Sequence, residues 1–299
     1  MEGPLVLLVK TIEEVREVVG VARALGKVVG LVPTMGALHA GHVALVERCR
    51  AEAGFVVVSI FVNPTQFGPR EDYGRYPRTI EDDLARCADG GADLVFAPDA
   101  AAMYPHGLSS TFVEVPGLSG VLEGASRPGH FRGVATVVLK LFEIVGPDFA
   151  LFGLKDYQQQ LVIRRMVDDL ALPVAIRTAE TVREPDGMAL SSRNRYLDPG
   201  QRQAATVLVR ALRRAARAVA EGERQGDRVR QILRETIESE VLATLDYAEV
   251  ADAETLEPLA ILEPGRSAVA LLAVRLGATR LIDNMILAES SDAVESPQE

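Results

Sequence analysis

Residues 27–42 read KVVGLVPTMGALHAGH. Lys27–Val32 is a short β-branched run, the pattern of a buried strand. The loop after it is Pro33-Thr34-Met35-Gly36-Ala37-Leu38-His39-Ala40-Gly41-His42, with two glycines and two imidazoles spaced i, i+3. A helix is predicted next, over about 43–53. A strand, a glycine-bearing loop and a helix N-terminus in that order suit phosphate. The first-turn N–H groups and the dipole attract an anion, and Gly36 and Gly41 let backbone and ligand approach closely. Half of the chain's four histidines fall in this one turn. Their spacing lacks the H-E-x-x-H form of a zinc-protease helix, and no metal ligand set is read.

Outward from this stretch, strand and helix alternate. Leu5–Val9 is an apolar first strand. Thr11-Ile12-Glu13-Glu14 is a capping box, and Ile12, Val15, Val19 and Ala22 repeat at helical spacing up to Gly26. Phe55–Val62 (FVVVSIFV) is nearly unbroken in its apolar character, as in a parallel strand buried on both faces. A helix over 79–88 and strands over 93–97 and 149–153 follow, then a helix over 156–170 and a strand over 174–179. The pattern predicts a Rossmann-like, doubly wound α/β domain over residues 1–181. The loops at 33–42, 63–78, 153–159 and 182–193 then all follow strands and share one rim. From Asp198-Pro199 one long helix is expected to about Glu221, a second over 227–243, and strands over 246–251, 267–274 and 279–287. These give a smaller α+β domain over 182–289. The polar, proline-containing residues 290–299 read as a disordered tail.

The 299 residues suit two domains, with 48% apolar and 25% charged residues. The net charge of −10 disfavours non-specific nucleic-acid binding, so a nucleotide pocket must rest on a few placed donors. Cys49 and Cys87, both on expected helices, are read as free thiols in a reducing cytoplasm. Met1-Glu2-Gly3 has no basic n-region and Leu5–Val9 is too short for a membrane span, so a soluble cytoplasmic protein is expected.

HxGH after a strand resembles the signature of the adenylyl-transferring Rossmann-like superfamily, which holds class I aminoacyl-tRNA synthetases and small nucleotidylyltransferases. The longer run 33–42 narrows the resemblance to the pantothenate synthetase (pantoate–β-alanine ligase) family. The match continues in order through Ser59-Ile60-Phe61-Val62-Asn63-Pro64-Thr65-Gln66-Phe67, Tyr76-Pro77-Arg78-Thr79 and His130-Phe131-Arg132-Gly133-Val134. Lys155-Asp156-Tyr157-Gln158-Gln159, Thr181-Val182-Arg183-Glu184 and Leu190-Ser191-Ser192-Arg193-Asn194-Arg195-Tyr196-Leu197 complete it. The resemblance spans the chain up to the tail.

The resemblance implies an AMP-forming ligase that takes ATP with Mg2+, pantoate and β-alanine, works as a homodimer, and needs no nucleic acid or membrane partner. Pantoyl-adenylate forms with loss of pyrophosphate; β-alanine then displaces AMP. It gives His42, with His39 as partner, and Lys155 to catalysis. ATP is expected along Pro33–His42, Gly153, Leu154, Lys155, Asp156, Val182, Leu190, Ser191, Ser192 and Arg193. Pantoate and β-alanine are expected at Asn63, Gln66, Gln159 and Met35. Read without it, Asn63-Pro64 is a turn, Asp156 a helix N-cap, Ser191–Arg193 a polar linker, and Asp82 and Asp83 lie on a solvated helix face. Leu154 stands where the family carries an acidic residue. The smaller domain is expected to close as a lid hinged near 182–190. A nucleotidylyltransferase acting on a phosphate-bearing substrate and a non-catalytic nucleotide sensor are the rival readings. No G-x-x-x-x-G-K-[ST] run is present.

Overall fold

The computed structural model describes residues 6–69, 71–108 and 111–288. Leu5 and the expected tail, 290–299, lie outside them. The chain forms two compact units, Met1–Val182 and Arg183–Glu299.

The first unit is built on six strands: β1 (Leu7–Val9), β2 (Val29–Thr34), β3 (Phe55–Ile60), β4 (Leu94–Phe96), β5 (Phe149–Gly153) and β6 (Ala175–Ala179). All pair in parallel, in the order β1-β4-β3-β2-β5-β6. Val56, Val57 and Val58 are fully buried, as two-sided coverage of a parallel strand requires. Gly30 is needed on β2: a Cβ there would meet the Cys49 thiol and lie 2.9 Å from the Phe149 ring. The sheet packs against α1 (Ile12–Ala24), α2 (Ala40–Glu52), α3 (Ile80–Asp89), α4 (His130–Val145) and α5 (Tyr157–Asp169). The expected capping box closes α1: Thr11 Oγ1 accepts from Glu14 N–H (3.2 Å) and Glu14 Oε2 from Thr11 N–H (3.0 Å). Its far end is a Schellman turn through left-handed Gly26, with Lys27 N–H donating to the Ala22 carbonyl.

Two elements differ in kind or number, beyond shifted ends, from the sequence-based expectation. The motif at His130 opens α4, a 16-residue helix that the pattern did not reveal. Eleven of its residues are buried, including Val134, Thr136, Val137 and Val138. A helix covered on nearly all sides keeps only a narrow polar stripe, here Arg132, Lys140 and Glu143, and its β-branched content mimics a strand. In the second unit, the single long helix expected from Asp198-Pro199 is two: α6 (Pro199–Ala204) and α7 (Val207–Ala220). Between them Thr206 Oγ1 donates back to the Gln203 carbonyl (2.8 Å), and Leu208 N–H bonds Ala205 three residues earlier. That competition for helix carbonyls tightens the turn.

The rest of the second unit is α8 (Gly226–Glu238), shorter than expected, and the antiparallel strands β7 (Ala243–Asp252), β8 (Ala268–Leu276) and β9 (Thr279–Ala288) in that order. Leu208, Leu212, Leu233 and Ile237 of its helices share one core with Val250, Leu272 and Val274 of its sheet.

Candidate active site

β2 lies between β3 and β5. The chain leaves β2 toward β3 and leaves β5 toward β6, on the other side. This divergence is a topological switch point, and open parallel sheets bind ligands beyond the carboxyl ends of strands there. The loops at this point are 35–39 after β2 and 154–156 after β5.

The β2 loop is held from within. Thr34 Oγ1 donates to the Ser59 carbonyl (2.7 Å) and accepts from Gly36 N–H (3.2 Å). Gly36 and Ala37 both adopt positive φ, 80° and 51°. Successive left-handed residues gather N–H groups into an anion-binding concavity. The anion is the chain's own Asp83 on α3. Its carboxylate accepts from Ala37 N–H (3.0 Å), Leu38 N–H (2.7 Å) and the Thr79 hydroxyl (3.3 Å). At 1% exposure Asp83 is buried, which corrects the expectation of a solvated face; Asp82 next to it is exposed. The available signal was spacing: Asp83 lies one helical turn before the buried Cys87.

α2 starts earlier than expected, with His39 as its N-cap. His39 Nδ1 accepts from Gly41 N–H (3.2 Å), and His42 Nδ1 accepts from His39 N–H (3.2 Å). Two imidazoles thus make the reciprocal bonds that a Ser and a Glu usually supply. Their ring centroids are 4.1 Å apart. Burial, then the neighbouring His39, pushes the His42 pKa down to about 3, and Lys155 adds to this while Asp156 opposes it. His42 is therefore neutral near pH 7. With Nδ1 accepting, its proton sits on Nε2, a donor for a phosphoryl oxygen.

After β5, Leu154–Asp156 forms a single 3-10 turn. Lys155 and Asp156 are close enough to bias the charge of His42. Asp156 takes the expected N-cap position of α5, but its carboxylate makes no capping bond. The paired glutamines separate. Buried Gln158 accepts from Glu123 N–H (3.1 Å) and donates to the carbonyls of Leu118 (2.7 Å) and Val121 (2.8 Å). Half-buried Gln159 keeps its amide uncommitted among the described residues.

After β3, Asn63 and Gln66 sit on one 3-10 turn and are 1% and 8% exposed. Asn63 is the hub. Its Oδ1 accepts from Thr65 N–H (3.3 Å), the Thr65 hydroxyl (3.0 Å) and the Tyr104 hydroxyl (2.8 Å). Its Nδ2 donates to Gln66 Oε1 (3.1 Å) and the Gly133 carbonyl (3.2 Å). The Asn-Pro turn read from sequence is present, and the same amide also orients Gln66. Gln66 Nε2 in turn points at Met35 Sδ (3.1 Å), which joins the β3 and β2 loops. Sequence reasoning missed Tyr104, Arg127 and the packing role of Gly133, because each acts on a residue distant in the chain.

Val182 closes the first unit. Leu190, Ser191, Ser192 and Arg193 belong to the second, where Ser191 Oγ caps a 3-10 turn by accepting from Arg193 N–H (3.3 Å). That segment is anchored within its unit. Arg183 forks onto Asp283 (2.7 and 2.9 Å), Asn194 Nδ2 donates to the Ala189 carbonyl (3.1 Å), and Arg202 bridges Glu184 and Asp186, both at 2.7 Å.

Among the described residues no helix is long and apolar enough to cross a membrane. Cys49 and Cys87 are buried free thiols.

The family model for pantoate-beta-alanine ligase matches residues 7–286. The chain is similar to the pantothenate synthetase of Roseiflexus sp. (strain RS-1), 55% identical over 280 residues that cover 94% of this chain and 99% of that protein. It is 52% identical to the pantothenate synthetase of Pelotomaculum thermopropionicum, over 95% of this chain and 99% of that one. Among solved structures it is similar to pantothenate synthetase from Thermus thermophilus: TM-score 0.88, 47% identity, covering 94% of this chain and 99% of that chain. The pantoate-beta-alanine ligase from Francisella tularensis, solved with beta-gamma ATP and beta-alanine, gives a TM-score of 0.76 at 32% identity, over 94% of this chain and 98% of that chain. With the family model spanning both units and relatives above half identity over nearly the whole length, the chain belongs to the pantoate–β-alanine ligase family.

Proposed function

We propose that this chain condenses pantoate with β-alanine to pantothenate at the expense of ATP, through a pantoyl-adenylate. A carboxylate oxygen of pantoate attacks the α-phosphorus of MgATP, the bond to the β-phosphate oxygen breaks, and pyrophosphate leaves. The neutral amine of β-alanine then attacks the acyl carbon, the acyl–oxygen bond to AMP breaks, and the amine loses a proton. The observation that carries this reading is the imidazole box at the switch point. It leaves the Nε2–H of a neutral His42 as a donor at the N-terminus of α2, just past the end of β2. Negative charge grows on the phosphoryl oxygens in the first step, and fixed donors at that place stabilise it without reorganising. Lys155 adds a point charge. His42 serves as a hydrogen-bond donor through Nε2–H, since its low pKa leaves little imidazolium to donate a proton.

Gln66, with Met35 against it, and Gln159 present uncharged groups to a small hydroxy acid, and Asn63 holds Gln66 in place. Mg2+ enters as part of the MgATP substrate. Leu190, Ser191, Ser192 and Arg193 take the β- and γ-phosphates on this reading, and Val182 meets the adenine through its backbone. The second unit closes as a lid, and the enzyme is a cytoplasmic homodimer.

The test is release of AMP and pyrophosphate from MgATP and pantoate, with and without β-alanine, in wild type and His42→Ala. AMP release that needs both acids and falls at least about a hundredfold in the variant is expected. Tight ATP binding without products would move the reading to a sensor.

A further inference from the structure

Three groups outside the reacting set converge on Gln66. His130 Nδ1 lies 2.8 Å from the Gln66 carbonyl. A carbonyl only accepts, so Nδ1 carries the proton, and His130 Nε2 is left as an acceptor. Arg127 Nη1 donates to that Nε2 at 3.0 Å, which fits this tautomer and no other neutral one. Arg127 is itself locked by Glu71 through two bonds, Nε to Oε1 (2.8 Å) and Nη2 to Oε2 (2.6 Å). Its Nη2 also reaches the Gln66 carbonyl at 3.4 Å.

The backbone is clamped from the same side. Gly133, one turn along α4, packs so closely that a Cβ would lie 2.5 Å from the Thr65 carbonyl oxygen and 2.7 Å from Gln66 nitrogen. The Gly133 carbonyl accepts from Asn63, which holds the Gln66 side chain. The start of α4 therefore fixes both the main chain and the side chain of one glutamine. A surface turn needs no such convergence, and the chain of donors runs in one sense, Arg127 to His130 to the Gln66 carbonyl.

We propose that Arg127 and His130 are positioning residues that set the Gln66 amide for the acid substrate, with Glu71 fixing the guanidinium and thereby the His130 tautomer. The inference rests on the reading that Gln66 faces pantoate. Neither residue takes part in bond making; each acts through Gln66. Its mark is a selective loss, in which KM for pantoate rises and KM for ATP does not.

The experiment compares His130→Asn with His130→Gln. An asparagine places its N–H near the Nδ1 position and a glutamine near the Nε2 position, so the pair differs in the one bond that matters. Both are measured for thermal unfolding and for KM of pantoate and of ATP at saturating β-alanine. His130→Asn should stay within about threefold of wild type for pantoate, and His130→Gln should lose roughly ten- to a hundredfold in kcat/KM for pantoate. KM for ATP should hold in both. Arg127→Lys, which keeps the charge and loses the fork, should fall between them. Equal kinetics for the two His130 variants, or a parallel rise in both KM values, would overturn the proposal. Absence of pantoate-dependent AMP release in wild type would instead overturn the functional reading beneath it.

Discussion

Replacing Asp83 by alanine strips the β2 loop of its internal anion. Ala37 and Leu38 N–H then lose their acceptors in a place water reaches poorly, since Ala37 and Leu38 are 2% and 4% exposed. Each buried unpaired donor costs about 1–3 kcal/mol. The left-handed Ala37 at φ 51° loses the bond that holds it there, which adds roughly 1 kcal/mol of unrelieved strain. Against this stands the relief of a buried carboxylate, itself costly to desolvate. The balance for Asp83→Ala is a loss of about 2–5 kcal/mol. Asp83→Asn is the sharper variant: one oxygen still serves Leu38, and the new amide confronts Ala37 N–H donor to donor. It should cost about 1–3 kcal/mol. The assay is urea unfolding followed by the first unit's signal, with Asp82→Asn as an exposed control expected within about 0.5 kcal/mol of wild type. Because Ala37 and Leu38 lead directly into His39, KM for ATP should rise in Asp83→Asn and not in the control. An Asp83→Asn protein as stable as Asp82→Asn, with unchanged KM for ATP, would show that the loop does not depend on this carboxylate.

Two further perturbations probe the same architecture. His42 and His130 have pKa values pushed down to about 3 and about 4. For His130 the causes are burial, then Arg127. The unfolded chain binds protons at these histidines near pH 6.5 while the native state refuses them, so stability is full above that pH and declines as pH falls toward the native values. At roughly pH 5 each histidine should subtract roughly 2 kcal/mol. Urea midpoints from neutral to acid pH would show the loss, and a His130→Asn variant should show about half this histidine-dependent slope. Gly133→Ala should cost about 2 kcal/mol or more and weaken pantoate more than ATP, because the added methyl meets the Thr65 backbone rather than a movable side chain. Unchanged melting and kinetics would mean that α4 can retreat from the Asn63–Gln66 turn.

Sequence pattern revealed what local physics determines. Apolar runs at 27–32 and 55–62 marked the central strands, and the capping box at Thr11 and Glu14 sits where it was read. The glycine-bearing loop ahead of α2 is equally a local signal. What escaped was burial imposed from elsewhere. α4 shows only the narrow stripe of Arg132, Lys140 and Glu143 to betray its period, because α1, α5 and the β2 strand all pack on it. Asp83 looked like one more acid in Glu81-Asp82-Asp83, and nothing within the helix shows that its face meets two N–H groups over forty residues away. The Arg127–His130 pair was invisible for the same reason: its target, Gln66, lies beyond any local window. His130 stood inside a recognised motif, yet no residue pattern discloses which carbonyl an imidazole will meet.

The electrostatics of the candidate site follow from the same contrast. A chain of net charge −10 gains nothing from long-range attraction when it binds a nucleotide triphosphate. Affinity and rate must come from donors at contact distance. On the proposed reading these are mainly neutral, the Nε2–H of His42 and the positive end of the α2 dipole, with Lys155 as the added cation. Neutral fixed donors are suited to a charge that grows and then leaves as pyrophosphate, since they bind it without the strong hold of a cation cluster on the product. Asp83 serves this economy of charge. On the proposed reading, a carboxylate so close to the β2 loop would repel a nucleotide bound there if it faced outward. Turned inward onto Ala37 and Leu38, its charge is taken up by backbone dipoles and shapes the loop.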